Sequence, residues 1–219
     1  MTQPDYFTDR SHLLIAGVTG ARTDYGGKTA LANWWCDNHG RASFDLVLFL
    51  NFKHDSGPKA TADADVQTVE GVAQAMREGA TYISLSPSSA DWQAVHDRLR
   101  AFVDALPNDM DKLVVHDEAP EYDEDSLRWF VRVAGNGANC KSLIIAQAPG
   151  DLSMAVRRQT MLCWIGPVTE DNRHVFEANH RGNHFDAIQR EHDPYVWSVL
   201  TGPEDADRDT YDPVPEEYA

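Results

Sequence analysis

The chain has 219 residues, room for one domain with a full core and little more, and 42% of them are hydrophobic, which excludes a disordered or low-complexity polypeptide. No apolar run approaches the roughly 18 residues of a membrane-spanning helix, and the opening MTQPDYFTDR has the make-up of neither a secretory signal nor an Arg-rich transit peptide. Formal net charge is −16, from 35 acidic and 19 basic residues, so the surface as a whole repels polyanions and any contact with one has to be local.

Residues 12–18 (HLLIAGV) form a short apolar run that reads as a buried strand. Residues 27–40 (GKTALANWWCDNHG) have helical spacing and close on Gly40, a usual helix stop. Between them lies a glycine-rich turn that ends in Gly26-Gly27-Lys28-Thr29. A phosphate-binding loop needs backbone N–H groups curled round the phosphates, a helix N-terminus behind them, a Lys for charge and a hydroxyl for Mg2+. The strand, the helix and the four residues Gly26, Gly27, Lys28 and Thr29 meet that need. The usual spacing G-x-x-x-x-G-K-[ST] would put the first glycine at position 22, which is Arg22. Gly20 is the first loop glycine, two residues early, with Gly17 as the alternative, five early. The insert 21–25 bulges into solvent or adds an Arg to the ligand.

Residues 44–52 (FDLVLFLNF) read as a second buried strand, 66–79 as an amphipathic helix, and 81–86 as a third strand. Residues 89–107 read as a helix with Ser89 or Asp91 near its cap. Residues 112–120 (KLVVHDEAP) are a fourth strand that delivers two acids. Asp117 is placed to hold Mg2+ and Glu118 to polarise an attacking water, since phosphoryl transfer needs positioning more than covalent chemistry. Residues 124–137 are a helix and 141–149 (KSLIIAQAP) a fifth strand, with Gln147 at its end, where an amide can sense a γ-phosphate. Residues 151–160 read as a short helix capped by Asp151. They carry Arg157 and Arg158, either an arginine finger for a neighbouring subunit or a solvated helix face. A sixth strand (161–168), a helix (169–182) and a last strand (194–202) follow. Apolar strands alternating with amphipathic helices predict an α/β fold, a mostly parallel central sheet flanked by helices on both faces. The single domain spans 1–202, and the acidic, proline-bearing segment 203–219 reads as an extended tail.

Cys36, Cys140 and Cys163 are too few for a disulfide scaffold. Cys36-x-x-His39 is half a metal site without a matching pair, and His174, His180, His184 and His192 lack ligand spacing, so no structural zinc is expected. Arg98 with Arg100, and Arg128 with Arg132, are candidate local basic patches, most of them read as solvated helix faces.

The order of phosphate loop, strand ending in Asp-Glu, strand ending in Gln, then short Arg-bearing helix resembles the FtsK–HerA superfamily of DNA-pumping ATPases. More narrowly, it is similar to the small genome-packaging ATPases of tailless, internal-membrane viruses, archaeal ones among them. Asn51-Phe52-Lys53 stands where that family has a strand ending in a DPK-like turn, and the resemblance covers 12–166. It implies a RecA-like P-loop NTPase core, ATP and Mg2+ as ligands, and a homo-oligomeric ring, commonly a hexamer. It further implies translocation of double-stranded DNA into a preformed capsid. Capsid or virion membrane proteins are the further partners, and the place is the host cytoplasm or the virion's packaging vertex. Carried onto this sequence, Gly20, Gly26, Gly27 and Lys28 bind phosphate, and Thr29 and Asp117 hold Mg2+. Glu118 is the catalytic carboxylate, Gln147 the sensor and Arg157 or Arg158 the finger. The elongated loop departs from the family pattern. The acidic, Lys-poor composition resembles that of halophile proteins, which implies a haloarchaeal virus or provirus as source. The residues alone leave other readings open: a terminase-like ATPase, a nucleotide kinase, a nucleotide-binding switch, or a capsid or membrane-associated component with a decayed loop.

Overall fold

Parallel strands covered on both faces need near-continuous apolar runs, and HLLIAG, LVLFL and KLVVH supply them between the buried polar ends His12, Lys112 and His116. The computed structural model describes residues 12–17, 27–88, 92–147, 152–165, 197–200 and 208–211, with the single positions 150, 170, 173 and 218. Its strands are β1 (His12–Gly17), β2 (Leu46–Leu50), β3 (Ala64–Val66), β4 (Tyr82–Leu85), β5 (Lys112–His116), β6 (Cys140–Ile145), β7 (Thr160–Ile165), β8 (Trp197–Leu200) and β9 (Arg208–Tyr211). They form one nine-stranded sheet in the order β3-β4-β2-β5-β6-β1-β7-β8-β9. Strands β1 to β7 run parallel, and β8 and β9 turn back antiparallel.

Successive residues of each strand feed opposite layers, as the two-residue period requires. Leu13 and Ile15 pack with Leu31, Ala32 and Trp35 of helix α1 (Lys28–Trp35). Leu14 and Ala16 face the other layer. That layer is built by α3 (Val69–Arg77), α4 (Trp92–Ala105) and α5 (Glu124–Trp129), whose buried residues include Val72, Leu99 and Leu127. Two short helices, α2 (Ser56–Thr61) and α6 (Met154–Arg157), complete the set. Both α1 and α5 run on through wider π turns, Cys36–Gly40 and Phe130–Ala134. Side-chain caps start three of the helices. Thr68 accepts from the Gly71 N–H at 3.0 Å, Asp123 from the Ser126 N–H at 3.1 Å, and Ser153 from the Val156 N–H at 3.4 Å.

Several boundaries differ from the expectation, each for a local reason. Gly40 does not stop its helix, which continues over Arg41–Ser43. A Cβ there would sit 3.4 Å from Val47 and 3.5 Å from the Trp35 ring, so Gly40 serves close packing against the sheet. Ser153, rather than Asp151, caps the short helix, because the first turn begins at Met154. Strand β5 ends at His116, before the two acids. Within the segment read as a tail, Arg208–Tyr211 pairs with β8 as an edge strand. Helix α2 and strand β3 were not foreseen, being six and three residues long and without a sustained apolar period. Ser89, Asp91 and most of 169–182 lie outside the described residues. No helix among the described residues is long and apolar enough to cross a membrane.

His12 pins the start of β1. Its ring is buried and accepts from the Ser142 N–H of β6 at 2.9 Å. A Cβ on Gly135 would come within 2.6 Å of that ring. Gly135→Ala is therefore expected to destabilise the fold by about 1–3 kcal/mol through overpacking. Urea unfolding should show a lower midpoint with an unchanged slope. An unchanged midpoint would mean that the His12 ring yields freely.

Candidate functional site

The strand register gathers the predicted site at one edge of the sheet. Leu50 pairs with His116, His116 with Ile144, and Ile15 with Ile145. Gly17, Asn51, Asp117 and Gln147 therefore all emerge at or just past the C-terminal ends of neighbouring parallel strands, where open α/β sheets bind ligands. Strand β6 stands between β1 and β5, so the phosphate loop and the acid pair are one strand apart.

Strand β1 ends on Gly17 at φ +129°, a conformation only glycine adopts readily. Its carbonyl accepts from Lys28 Nζ at 3.3 Å. Gly27 stands at the N-cap of α1, and a Cβ there would meet no atom within 4 Å, so the space over its backbone is open. A helix N-terminus, a lysine and open backbone fit a phosphate group. Gly20 and Gly26 lie outside the described residues.

Asp117 is 1% exposed; its Oδ1 accepts from the Glu118 N–H at 3.1 Å, and its Oδ2 has no hydrogen-bond partner among the described residues. Burial pushes its pKa up to about 6, against the pull of Lys53, Lys28 and the nearby Thr29 hydroxyl; Asp55 adds to the rise. Burial also lowers Lys28, 8% exposed, to about 8, with Lys53 adding to the fall and Asp117 opposing it. Desolvation outweighs the attraction between the two groups. A buried carboxylate oxygen without a donor, beside a threonine hydroxyl, is a hard-oxygen set that suits Mg2+.

Glu118 follows in the left-handed region, φ 53° and ψ 46°, which costs a non-glycine residue about 1 kcal/mol or more. The turn is held from below. The Glu121 N–H donates to the Glu118 carbonyl at 2.9 Å, and the Tyr122 hydroxyl donates to the Asp117 carbonyl at 2.7 Å. The Tyr122 ring stacks on His96 at 4.3 Å and 8° between planes. His96 in turn bonds Ser126 Oγ at 2.8 Å and His116 at 3.1 Å. Burial lowers both imidazoles, His96 to about 4 and His116 well below its usual value, so they stay neutral in the core. Asp117 and Glu118 thus leave a strand end whose backbone is held in place.

Sequence reasoning missed the partner of Glu118. Lys53, just past β2, forms an ion pair with it; the two side chains are 42% and 14% exposed. Asn51 is fully buried and braces the turn that carries Lys53, donating to the Asp55 carbonyl at 2.9 Å and accepting from the Asp55 N–H at 2.8 Å. The sequence signal was present in the Asn51-Phe52-Lys53 turn, but nothing in it named the acid across the sheet.

Gln147 is exposed beside this edge. Arg157 and Arg158 are elsewhere. Thr160 pairs with His12, and the His12 N–H donates to the Gln159 carbonyl at 3.2 Å, so both arginines stand by the N-terminal ends of the strands. Arg157 is half-buried and Arg158 exposed. They do not join the site of their own chain. Of the candidate basic patches, Arg128 is engaged by Glu124 and Asp125, and Arg100 lies over the Trp129 ring at 5.1 Å. Among the described residues no group of three or more His, Cys, Asp or Glu could hold a metal by itself, and His174, His180, His184 and His192 lie outside them.

No protein-family model matches the chain, and no curated protein sequence does. Solved structures do. The genome packaging NTPase B204 from Sulfolobus turreted icosahedral virus 2, in complex with AMPPCP, superposes with a TM-score of 0.67 at 8% identity, over 94% of this chain and 99% of that one. The same protein in complex with ATP-gammaS gives 0.63 at 7% identity, over 94% and 100%. B204, the DNA-packaging ATPase from Sulfolobus turreted icosahedral virus, gives 0.63 at 10% identity, over 94% and 98%. The chain has the RecA-like P-loop NTPase fold.

The burial of Asp117 sets a pH dependence. Its carboxyl binds a proton more tightly folded than unfolded, so its cost to stability grows from about pH 4 to about pH 6 and stands in full above that. Asp117→Asn is expected to stabilise the protein by roughly 1–3 kcal/mol at pH 8, with the gain shrinking toward pH 4. Urea unfolding of both proteins across that range measures it. A difference that does not change with pH would mean the buried carboxyl is not shifted.

Proposed function

We propose that this chain is an ATP-hydrolysing motor of the FtsK–HerA kind that drives double-stranded DNA, and that its load is a viral genome entering a preformed capsid. One observation carries the reading: Lys28, Thr29, Asp117 and Glu118 meet at one edge of a sheet whose fold matches a viral packaging NTPase almost end to end. Oligomeric assembly as a ring, contacts with capsid or virion membrane proteins, and a place in the host cytoplasm or at the packaging vertex belong to the same proposal.

The α1 N-terminus, Gly27 and Lys28 would hold the phosphates, with Gly20 and Gly26 as the rest of the loop. Thr29 and Asp117 would hold Mg2+, which supplies neutralising charge to the phosphate oxygens. Glu118, the next residue, orients the attacking water and accepts its proton. Gln147, at the end of the strand between the loop and the acids, is the sensor. Arg157 and Arg158 stand at the opposite end of the strands, so an arginine finger from this chain can serve only a neighbouring copy. Arg158 is the more exposed of the two and the better placed for that. A nucleotide kinase has less use for a carboxylate such as Glu118, because its acceptor is a substrate hydroxyl rather than water.

The test is phosphate release from Mg-ATP in molar KCl, with and without double-stranded DNA. Glu118→Gln should lower turnover by about 100-fold or more while nucleotide still binds. Lys28→Ala should lose binding itself. DNA should raise the wild-type rate. Hydrolysis that survives Glu118→Gln would remove the assigned base, and hydrolysis indifferent to DNA would leave an ATPase that is not this motor.

A further inference from the structure

The site holds one more charge than the proposed reaction uses. Lys53 reaches from the end of β2 across the end of β5 to the Glu118 carboxylate. Its ammonium is close enough to both Lys28 and Asp117 to influence each. It therefore stands over the space between the phosphate loop and the catalytic acid. Its aim is set by a rigid turn: Asn51 braces both sides of Asp55, and His54, at φ 59°, accepts the tight reversal and donates its N–H to the Asn51 carbonyl at 3.1 Å. Two other lysines near this edge are engaged elsewhere, Lys28 with the Gly17 carbonyl and Lys59 with the His54 ring at 3.2 Å.

An ion pair with Lys53 does more than hold Glu118 in place. While the pair holds, the carboxylate oxygen is turned to the ammonium rather than to a water. A triphosphate seated between Lys28 and Glu118 brings a terminal group with more negative charge than one carboxylate, and an ammonium with three donors turns toward it. We propose that Lys53 is a ligand of the terminal phosphate and exchanges Glu118 for it, so that the carboxylate is released from its ion pair to face water only when a triphosphate is bound. Lys53 then distinguishes triphosphate from diphosphate. This rests on reading the site as one for a nucleoside triphosphate.

The probes are the β,γ-methylene analogue of ATP and ADP, each with Mg2+, titrated calorimetrically into wild type, Lys53→Met, Glu118→Gln and the double variant. Lys53→Met should weaken the triphosphate analogue about tenfold and leave ADP within about twofold, the loss of one charge-assisted contact to the terminal group. The same loss should appear when Lys53→Met is added to Glu118→Gln, where no carboxylate charge remains to repel the phosphate. Lys53→Arg should restore part of the discrimination. Lys53 is 42% exposed, so solvent screens much of its pairing, and the melting temperature of Lys53→Met should stay near that of wild type. Equal losses for both nucleotides, no loss for either, or a loss that vanishes in the Glu118→Gln background would each overturn the proposal while leaving the nucleotide site intact. Wild type that binds neither probe would remove the nucleotide site itself, and this assignment with it.

Discussion

Two opposite charges, Lys28 and Asp117, are buried at the same edge of the sheet, and neither is neutralised by the other. Burial moves each toward its uncharged form, to about 8 for the lysine and about 6 for the aspartic acid, despite their mutual attraction. A fold selected for stability alone would not keep such a pair. A phosphate beside Lys28 and a divalent cation beside Asp117 would relieve both costs at once, and the groups are arranged for that. The sheet explains how they come to be buried. With β6 between β1 and β5, Lys28 at the start of the helix that follows β1 and Asp117 just past β5 come from segments one strand apart.

Much of the surrounding structure keeps this edge from relaxing. Tyr122, stacked on His96, holds the Asp117 carbonyl from below, and the neutral His96–His116 pair fills the core behind it. Glu118 can then remain left-handed directly after the strand end. On the far side Asn51 fixes the turn that brings Lys53 to Glu118. The arginines of α6 take no part, because the chain crosses to the other end of the sheet before it reaches them. A site completed by either arginine would therefore require a second copy of the chain.

The sheet was legible because parallel strands buried on both faces leave continuous apolar runs. Lys28, Thr29, Asp117 and Glu118 were legible for a related reason: they stand at the junctions where those runs end. What escaped was short or distant. Helix α2 and strand β3 are too brief to show a period, and Gly40, read as a stop, is a packing glycine whose neighbour Val47 belongs to another element. The Lys53–Glu118 pair spans 65 positions and the His96–Ser126 bond 30, and no local pattern records such contacts. At the irregular phosphate loop, the structure describes the two ends. Gly17 has the positive φ of a chain turning sharply, and Gly27 opens onto empty space at the helix start.

The most direct measurement is the proton balance of nucleotide binding. The preformed Mg2+ complex of the β,γ-methylene analogue of ATP would be titrated by calorimetry in buffers of different ionisation enthalpy, near pH 6 and near pH 8. Near pH 6 the Asp117 carboxyl is partly protonated, and a bound cation displaces that proton into the buffer, so release is expected. Near pH 8 the Lys28 amine is partly neutral and takes up a proton beside a phosphate, so the sign reverses. The release should vanish in Asp117→Asn and the uptake in Lys28→Met, wherever binding remains measurable. Proton-neutral binding at both pH values would contradict the claim that these buried charges are what the nucleotide relieves.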